Sequence, residues 1–174
     1  DWSSDVCSSD LTSLNMTNSH TAAFLLTHGA RGISFSLESS LQDCSAIKRC
    51  FQERYAVDAP FFYTVYGRAE LMLSEYCPIN SVICNHTDRN CGLCRQGAEY
   101  ALLDVKQNRY PILCDESCRT HILHYEVRNH IDSIPEAKQH GIQHFLCTFT
   151  MEGEADCHRI ITACKAQLQM KQGV

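Results

Sequence analysis

The sequence predicts a mixed α/β fold in which helices cover a parallel sheet. From Leu14 to Gly67, short apolar runs alternate with amphipathic segments, which is typical of strand–helix–strand–helix–strand units. The alternation resumes after Arg119 with a short helix, a strand and a final helix. A closed barrel of eight such units takes about 250 residues. A chain of 174 residues is therefore expected to be either part of a barrel or a small open sheet.

Strands are predicted where short apolar runs are bounded by turn residues. They cover residues 14–17, 32–38, 61–67, 100–106, 110–115 and 144–150. The runs 100–106 and 110–115 flank three polar residues, Gln107, Asn108 and Arg109, and this pattern predicts a β-hairpin. The hairpin lies inside a cysteine-rich stretch, residues 75–119, which interrupts the strand–helix alternation and is interpreted as an insertion.

Helix boundaries are predicted from capping residues. Ser19 is expected to cap the first helix, and Gly29 to end it. Ser40 and Asp43 have the spacing of a capping box at the start of the second helix. A third, short helix is expected over residues 133–141. The last helix is expected to bury one face, formed by Cys157, Ile161, Cys164 and Leu168.

The first eleven residues match the translation of a sequencing-adapter oligonucleotide. The codons GAC TGG AGT TCA GAC GTG TGC TCT TCC GAT encode Asp1 to Asp10, and a following CT begins Leu11. We therefore expect residues 1–11 to be an artefact, with residues 12–174 as the native domain and the N-terminal part of the gene missing. Cys7 is then no ligand.

Composition excludes several classes of protein. A chain with 44% hydrophobic and 20% charged residues is globular rather than disordered. No apolar run approaches the length of a membrane span, and no secretory signal is visible, so a cytoplasmic protein is expected. The net charge of −5 disfavours nucleic-acid binding by this chain alone. Twelve cysteines without an export signal favour thiolate chemistry or metal ligation over disulfides.

Half of the cysteines lie within 42 positions: Cys77, Cys84, Cys91, Cys94, Cys114 and Cys118. The Cys91-x2-Cys94 pair has the spacing at which two thiolates bind one metal. Cys77 and Cys118 are placed to complete a four-thiolate site for zinc or an iron–sulfur cluster. A local zinc knuckle that adds Cys84 and His86 to the pair is an alternative, and Cys114 has the strand position of a core residue. Four further cysteines are interpreted as small buried apolar side chains: Cys44, Cys147, Cys157 and Cys164.

Three segments carry a resemblance to a known family. They are LNMTNSHTAAFLLTHGARGISFSLE (14–38), YGRAELMLSEYCPIN (66–80) and EYALLDVKQNRYPILCDESCRTHIL (99–123). Together with the paired cysteines and the final helix–strand–helix, they resemble the peptidase U32 family, whose members are often labelled collagenase-like proteases. The resemblance implies a partial TIM-barrel-like (βα)n fragment with a cysteine-rich β-hairpin insertion.

The resemblance also implies a cofactor. Better-studied members of this family are similar in carrying four cysteines that bind a [4Fe-4S] cluster. Carried onto this sequence, three ligands are Cys77, Cys94 and Cys118, while the fourth is Cys91 or, on the Cys-x6-Cys spacing, Cys84. Zinc is the alternative metal.

Arg68 and Glu75 are the candidate catalytic residues, since both are predicted near the end of the third strand, where barrel active sites lie. Arg68 is expected to hold an anionic group of the substrate and Glu75 to act as a base or to orient a neighbour. A surface ion pair and a solvated loop carboxylate are the alternatives for these two residues.

Three functions are compatible with the resemblance. The first is a peptidase-like enzyme acting on peptides. The second is oxygen-independent hydroxylation of tRNA or rRNA bases or of a related small substrate. The third is a structural zinc module without catalysis. The resemblance further implies a protein partner of the same family and no membrane association.

Overall fold

The computed structural model describes residues 14–84, 92–96 and 98–169. It divides the chain into two compact units, one from residues 1–67 and 129–174 and the other from residues Arg68–Arg128. No helix among the described residues has the length and apolar character needed to cross a membrane. The suspected artefact, residues 1–11, lies outside the described residues and stays a prediction.

The first unit is a small parallel sheet with helices. Its helices are α1 (Ser19–Thr27), α2 (Leu41–Tyr55), α3 (Ile134–Gln139) and α4 (Glu154–Gln169). Its strands are β1 (Ile33–Ser34), β2 (Phe61–Gly67), β7 (Arg128–Asn129) and β8 (His144–Cys147), and β7 begins on the last residue of the other unit. β2 pairs in parallel with β1 on one side and β8 on the other. An isolated parallel bridge joins Met16 to Phe35. The mixed α/β class is confirmed, and the barrel fragment stays a prediction.

Capping residues set two of the helix starts. The capping box of α2 is confirmed, because Ser40 Oγ accepts from the Asp43 backbone N–H and the Asp43 carboxylate accepts from that of Ser40. The predicted cap of α1 is one residue off. Asn18 Oδ1 accepts from Thr21 N at 2.9 Å, so Asn18 is the cap and Ser19 is the first helical residue.

Three aromatic side chains form the centre of the first unit's core. Phe61 of β2 is 2% exposed and packs on Phe35 and on Phe51 of α2, with ring centroids 5.4 and 5.2 Å apart. Offset and edge-to-face contacts of this kind add to the stabilisation from apolar burial. The predicted strand at 61–67 is therefore confirmed with its exact bounds, because its apolar run is the part of the sheet buried most completely.

The buried face of α4 differs from the prediction. Ile160 and Cys164 are buried, whereas Ile161 and Leu168 are 39% and 40% exposed. The predicted face is therefore partly wrong. The sequence has apolar residues at adjacent positions, and packing buries Ile160 rather than Ile161.

The second unit is an antiparallel sheet of four strands. They are β3 (Glu70–Ser74), β4 (Tyr100–Leu103), β5 (Arg109–Cys114) and β6 (Thr120–Leu123), in the order β3-β6-β5-β4. The predicted hairpin is confirmed as β4 and β5, but its loop is longer than three residues, because the last pair is Leu103 with Arg109. The Asp104 carboxylate fills this loop by accepting from Lys106 N and Asn108 N.

Candidate thiol-rich site

Three thiols of the second unit lie close together: Cys77, Cys94 and Cys114, here called the thiol cluster. Cys114 is the last residue of β5, and its thiol is hydrogen-bonded to that of Cys94. Cys94 lies in a 3₁₀ turn, Leu93–Arg95, that begins after Gly92 at φ +69°. Cys77 is held by a short turn in which its Sγ accepts from Asn80 N at 3.4 Å. One strand and two turns thus contribute the three thiols of the cluster.

The surroundings of Cys114 disfavour ionisation of its thiol. Burial raises the pKa of Cys114 to about 12, and the neighbouring thiols of Cys94 and Cys77 add to this effect. A second thiolate next to a first is costly without a cation nearby. A thiol-binding metal would supply that positive charge and replace the protons.

A buried hydroxyl lies beside this cluster. Thr120 is the register partner of Cys114 across β5 and β6 and is 0% exposed. Its Oγ1 has no hydrogen-bond partner of normal geometry among the described residues. Thr120 lowers the pKa of Cys114 and so opposes the effect of burial. The reason is that a hydroxyl donates a stronger hydrogen bond to a thiolate than to a neutral thiol. The hydroxyl is therefore placed for the ionised form of Cys114.

Cys118 lies on the adjoining β5–β6 turn. Its backbone adopts φ +58°, and its N–H donates to Asp115 O at 3.1 Å. Arg119 closes the turn by donating from N to Asp115 Oδ1 and from Nε to Oδ2, at 2.9 and 2.7 Å. These bonds, led by the one from the Arg119 backbone, lower the pKa of Asp115. Arg95 Nη2 donates to Glu116 O at 3.4 Å, which ties the turn carrying Cys94 to this one.

The predicted ligands are only partly accounted for. Cys77 and Cys94 each lie near Cys114, whereas Cys91 and the side chain of Cys84 lie outside the described residues, so the predicted ligand set stays a prediction. Cys114, expected to face the core, is the member that the sequence analysis missed, and only its nearness to Cys118 in the chain signalled it. In the part of the chain that the structure describes, no three His, Cys, Asp or Glu side chains converge tightly enough to hold a metal ion.

The two predicted catalytic residues follow different strands. Arg68 comes directly after β2, whereas Glu75 is exposed after β3, a strand that the sequence analysis did not predict. Arg68 Nη1 donates to the carbonyls of His124 and Tyr125 at 3.0 and 2.6 Å. Its Nε is buried without a partner among the described residues. Arg68 is therefore a partly buried residue that braces a loop, and it forms no ion pair with any residue that the structure describes.

Glu152, another residue that the sequence analysis missed, lies in the first unit after β8. Oε2 accepts from Thr150 N and Met151 N at 2.7 and 3.1 Å, and Oε1 accepts from the Tyr66 hydroxyl at 3.1 Å. Partial burial alone would raise the pKa of Glu152, but these hydrogen bonds together lower it below its ordinary value of 4.5. Tyr66 lies near the carboxyl end of β2, so the contact joins the ends of two parallel strands.

Glu152→Gln should lower the free energy of unfolding by about 1 kcal/mol at pH 7, below the usual range for charged hydrogen bonds because the carboxylate is partly solvated. A carboxyl with a lowered folded-state pKa contributes stability above its unfolded pKa, and the contribution disappears as the pH falls through the folded pKa. The difference between wild type and variant should therefore shrink below about pH 4.5. Urea denaturation from pH 7 to pH 3 measures this.

Glu53→Gln is the matched control for that series. Glu53 is 67% exposed in its side chain and 3.9 Å from Arg49, a surface pair of small value. Its substitution should leave the pH dependence almost unchanged. An undiminished Glu152→Gln difference at pH 3 would contradict the assigned role of the carboxylate.

The fold and the cluster together define a mixed α/β protein with a thiol-rich antiparallel unit. The model of Peptidase family U32 matches residues 8–170, nearly the whole chain, and the protein belongs to this family. No curated protein and no solved structure matches the chain.

Proposed function

We propose that the chain is a peptidase-like enzyme of family U32 whose second unit holds a four-cysteine iron–sulfur site. Family membership supports an enzyme with a protease label. The hydrogen bond between the thiols of Cys114 and Cys94, with Cys77 near enough to raise the pKa of Cys114, is the observation that carries the metal site. In this proposal these thiols are three ligands, and the fourth comes from Cys91, Cys118 or Cys84.

The donor chemistry of these residues suits such a group, and binding would draw the sulfurs closer together than they lie in the described residues of this structure. Iron–sulfur clusters are held by thiolates, and Cys77, Cys94 and Cys114 supply three sulfurs from separate segments. The Thr120 hydroxyl, which has no hydrogen bond of normal geometry among the described residues, is placed to donate to a ligating sulfur, a contact of the kind that tunes cluster potentials. When bound, a cluster supplies electron transfer. The protein's part is to hold the thiolates, to brace the Cys118 turn through Asp115 and Arg119, and to limit access of water.

The thiol of Cys114 suits ligation better than nucleophilic attack. A catalytic cysteine needs a lowered pKa so that the thiolate is populated near neutral pH. The pKa of Cys114 is instead raised to about 12. A cysteine-peptidase mechanism at this position is therefore disfavoured.

The absorption spectrum of the chain after anaerobic purification tests the proposal. A broad brown absorbance that bleaches on reduction, with iron and acid-labile sulfide, is expected. A colourless protein with one equivalent of zinc would replace the proposal with the structural zinc module. A protein that binds neither metal would remove the site altogether.

The thiol cluster also favours a second candidate activity, which acts on a different substrate. Oxygen-independent hydroxylation of RNA bases is the activity that the resemblance connects with four cysteines, whereas peptide cleavage needs no electron carrier. A gelatin cleavage assay, set against mass analysis of RNA from a deletion strain, separates the two. A partner of the same family and a cytoplasmic location stay predictions from the sequence.

Arg68 and Glu75 remain the proposed catalytic residues. The buried Nε of Arg68 supports a role in holding an anionic group, since it has no other partner among the described residues. Arg68→Gln and Glu75→Gln are expected to lose activity while iron content and circular dichroism stay at the wild-type level. Retained activity would remove the substituted residue from the site.

A further inference from the structure

Two thiols of the first unit lie side by side, away from the thiol cluster. Cys147 ends β8 and Cys164 lies in α4, with their Sγ atoms 3.6 Å apart. Cys164 is 9% exposed, and Cys147 is half-buried. A bonded pair of sulfurs is about 2.05 Å apart, so a movement of about 1.5 Å, within reach of small side-chain rotations, would join them.

We propose that Cys147 and Cys164 are a redox modification site that forms a reversible disulfide with a small-molecule disulfide as oxidant. The inference is independent of the proposed metal site, since it concerns different cysteines in a different unit. It goes beyond the interpretation of these residues as buried apolar side chains.

The reaction balances as two successive exchanges. The Cys147 thiolate attacks one sulfur of oxidised glutathione, whose S–S bond breaks and releases one glutathione thiolate. The Cys164 thiolate then attacks the Cys147 sulfur of the mixed disulfide and displaces the second glutathione. The two cysteines lose two electrons, the oxidant gains them, and the two thiol protons pass to the released glutathiones. Cys147 reacts first because it is the more exposed of the pair.

The bond would constrain the segment that joins β8 to α4. Residues 148–163 would lie inside the closed loop, which includes Glu152, and Cys147 is the register partner of Tyr66. Oxidation would therefore hold the segment that contains Glu152, whose carboxylate accepts from the Tyr66 hydroxyl, more firmly against α4. Burial and the Cys164 thiol raise the pKa of Cys147 to about 12, so the resting pair is protonated, and we expect oxidation over hours rather than seconds.

Peptide mapping of the full chain tests the proposal. After incubation with oxidised glutathione and blocking of remaining thiols, trypsin should give residues 139–159 joined to residues 160–165. Dithiothreitol should separate them. Because residues 139–159 also contain Cys157, the map is repeated on Cys157→Ser, in which the same link should form. The melting temperature of the oxidised chain should rise by about 5 °C.

Each variant has a defined outcome. Cys147→Ser and Cys164→Ser should each abolish the link and the rise in melting temperature, whereas Cys157→Ser should abolish neither. Loss of the link in Cys157→Ser, a chain that remains reduced, or links confined to Cys77, Cys94 and Cys114 would each overturn the proposal. Cyanogen bromide cleavage after Met151 separates Cys147 from Cys157 in the wild-type map, so that map decides the matter even if a variant fails to fold.

Discussion

Replacing Cys114 with serine should reduce bound iron by about tenfold, the size of effect seen when a metal loses important coordination or supporting contacts. Cys114 is hydrogen-bonded to Cys94 and lies near Cys77, and the fully buried Thr120 is its register partner on β6. A serine hydroxyl is a hard, weakly acidic donor that cannot replace a thiolate on iron. Iron and sulfide analysis of anaerobically purified protein measures the loss.

Cys157→Ser is the matched control for this experiment. Cys157 lies in α4 of the first unit, and its thiol contacts the Glu152 carbonyl. Its iron content should equal that of the wild type. Circular dichroism should show both variants folded, so that a loss in Cys114→Ser reports on ligation. Equal iron in the two variants would exclude Cys114 from the site.

Phe61→Ala should lower the free energy of unfolding by about 3–5 kcal/mol. Phe61 is 2% exposed and lies between Phe35 and Phe51, so the smaller side chain leaves a cavity and removes two aromatic contacts. A loss of this size is a large part of the stability of an ordinary domain. Urea denaturation of the full chain, followed by circular dichroism, provides the measurement.

Phe24→Ala is the control for the core prediction. Phe24 lies in α1, is 58% exposed and stacks on His28 of the same helix end, with ring centroids 4.1 Å apart. Its substitution should change the free energy of unfolding by about 0.5 kcal/mol or less. Similar losses for the two variants would show that Phe61 does not lie in the main core.

Features encoded by local chemistry could be predicted from the sequence. The capping box at Ser40 and Asp43 depends on two side chains three residues apart, so it is visible in the sequence and is confirmed. The same holds for β2, where an uninterrupted apolar run fixes both bounds. The family, too, was predicted from short motifs and is confirmed over nearly the whole chain.

Features that depend on long-range pairing could not be predicted. β3 is an edge strand with Leu71, Met72 and Leu73 each about half exposed, so it lacks the alternation that identifies a strand. Cys114 joins Cys94 and Cys77 only because the antiparallel sheet and two loops bring them together. The contact of Glu152 with Tyr66 likewise joins residues 86 positions apart.

Alkylation of the metal-loaded chain tests the central claim, that Cys77, Cys94 and Cys114 bind one metal centre. The chain is purified anaerobically, treated with iodoacetamide before and after removal of the metal, and mapped by mass spectrometry. The account predicts that these three cysteines are protected while the metal is bound and become alkylated after its removal, whereas Cys50 and Cys157 react equally in both states. Alkylation of Cys114 at the same rate in both states would contradict it.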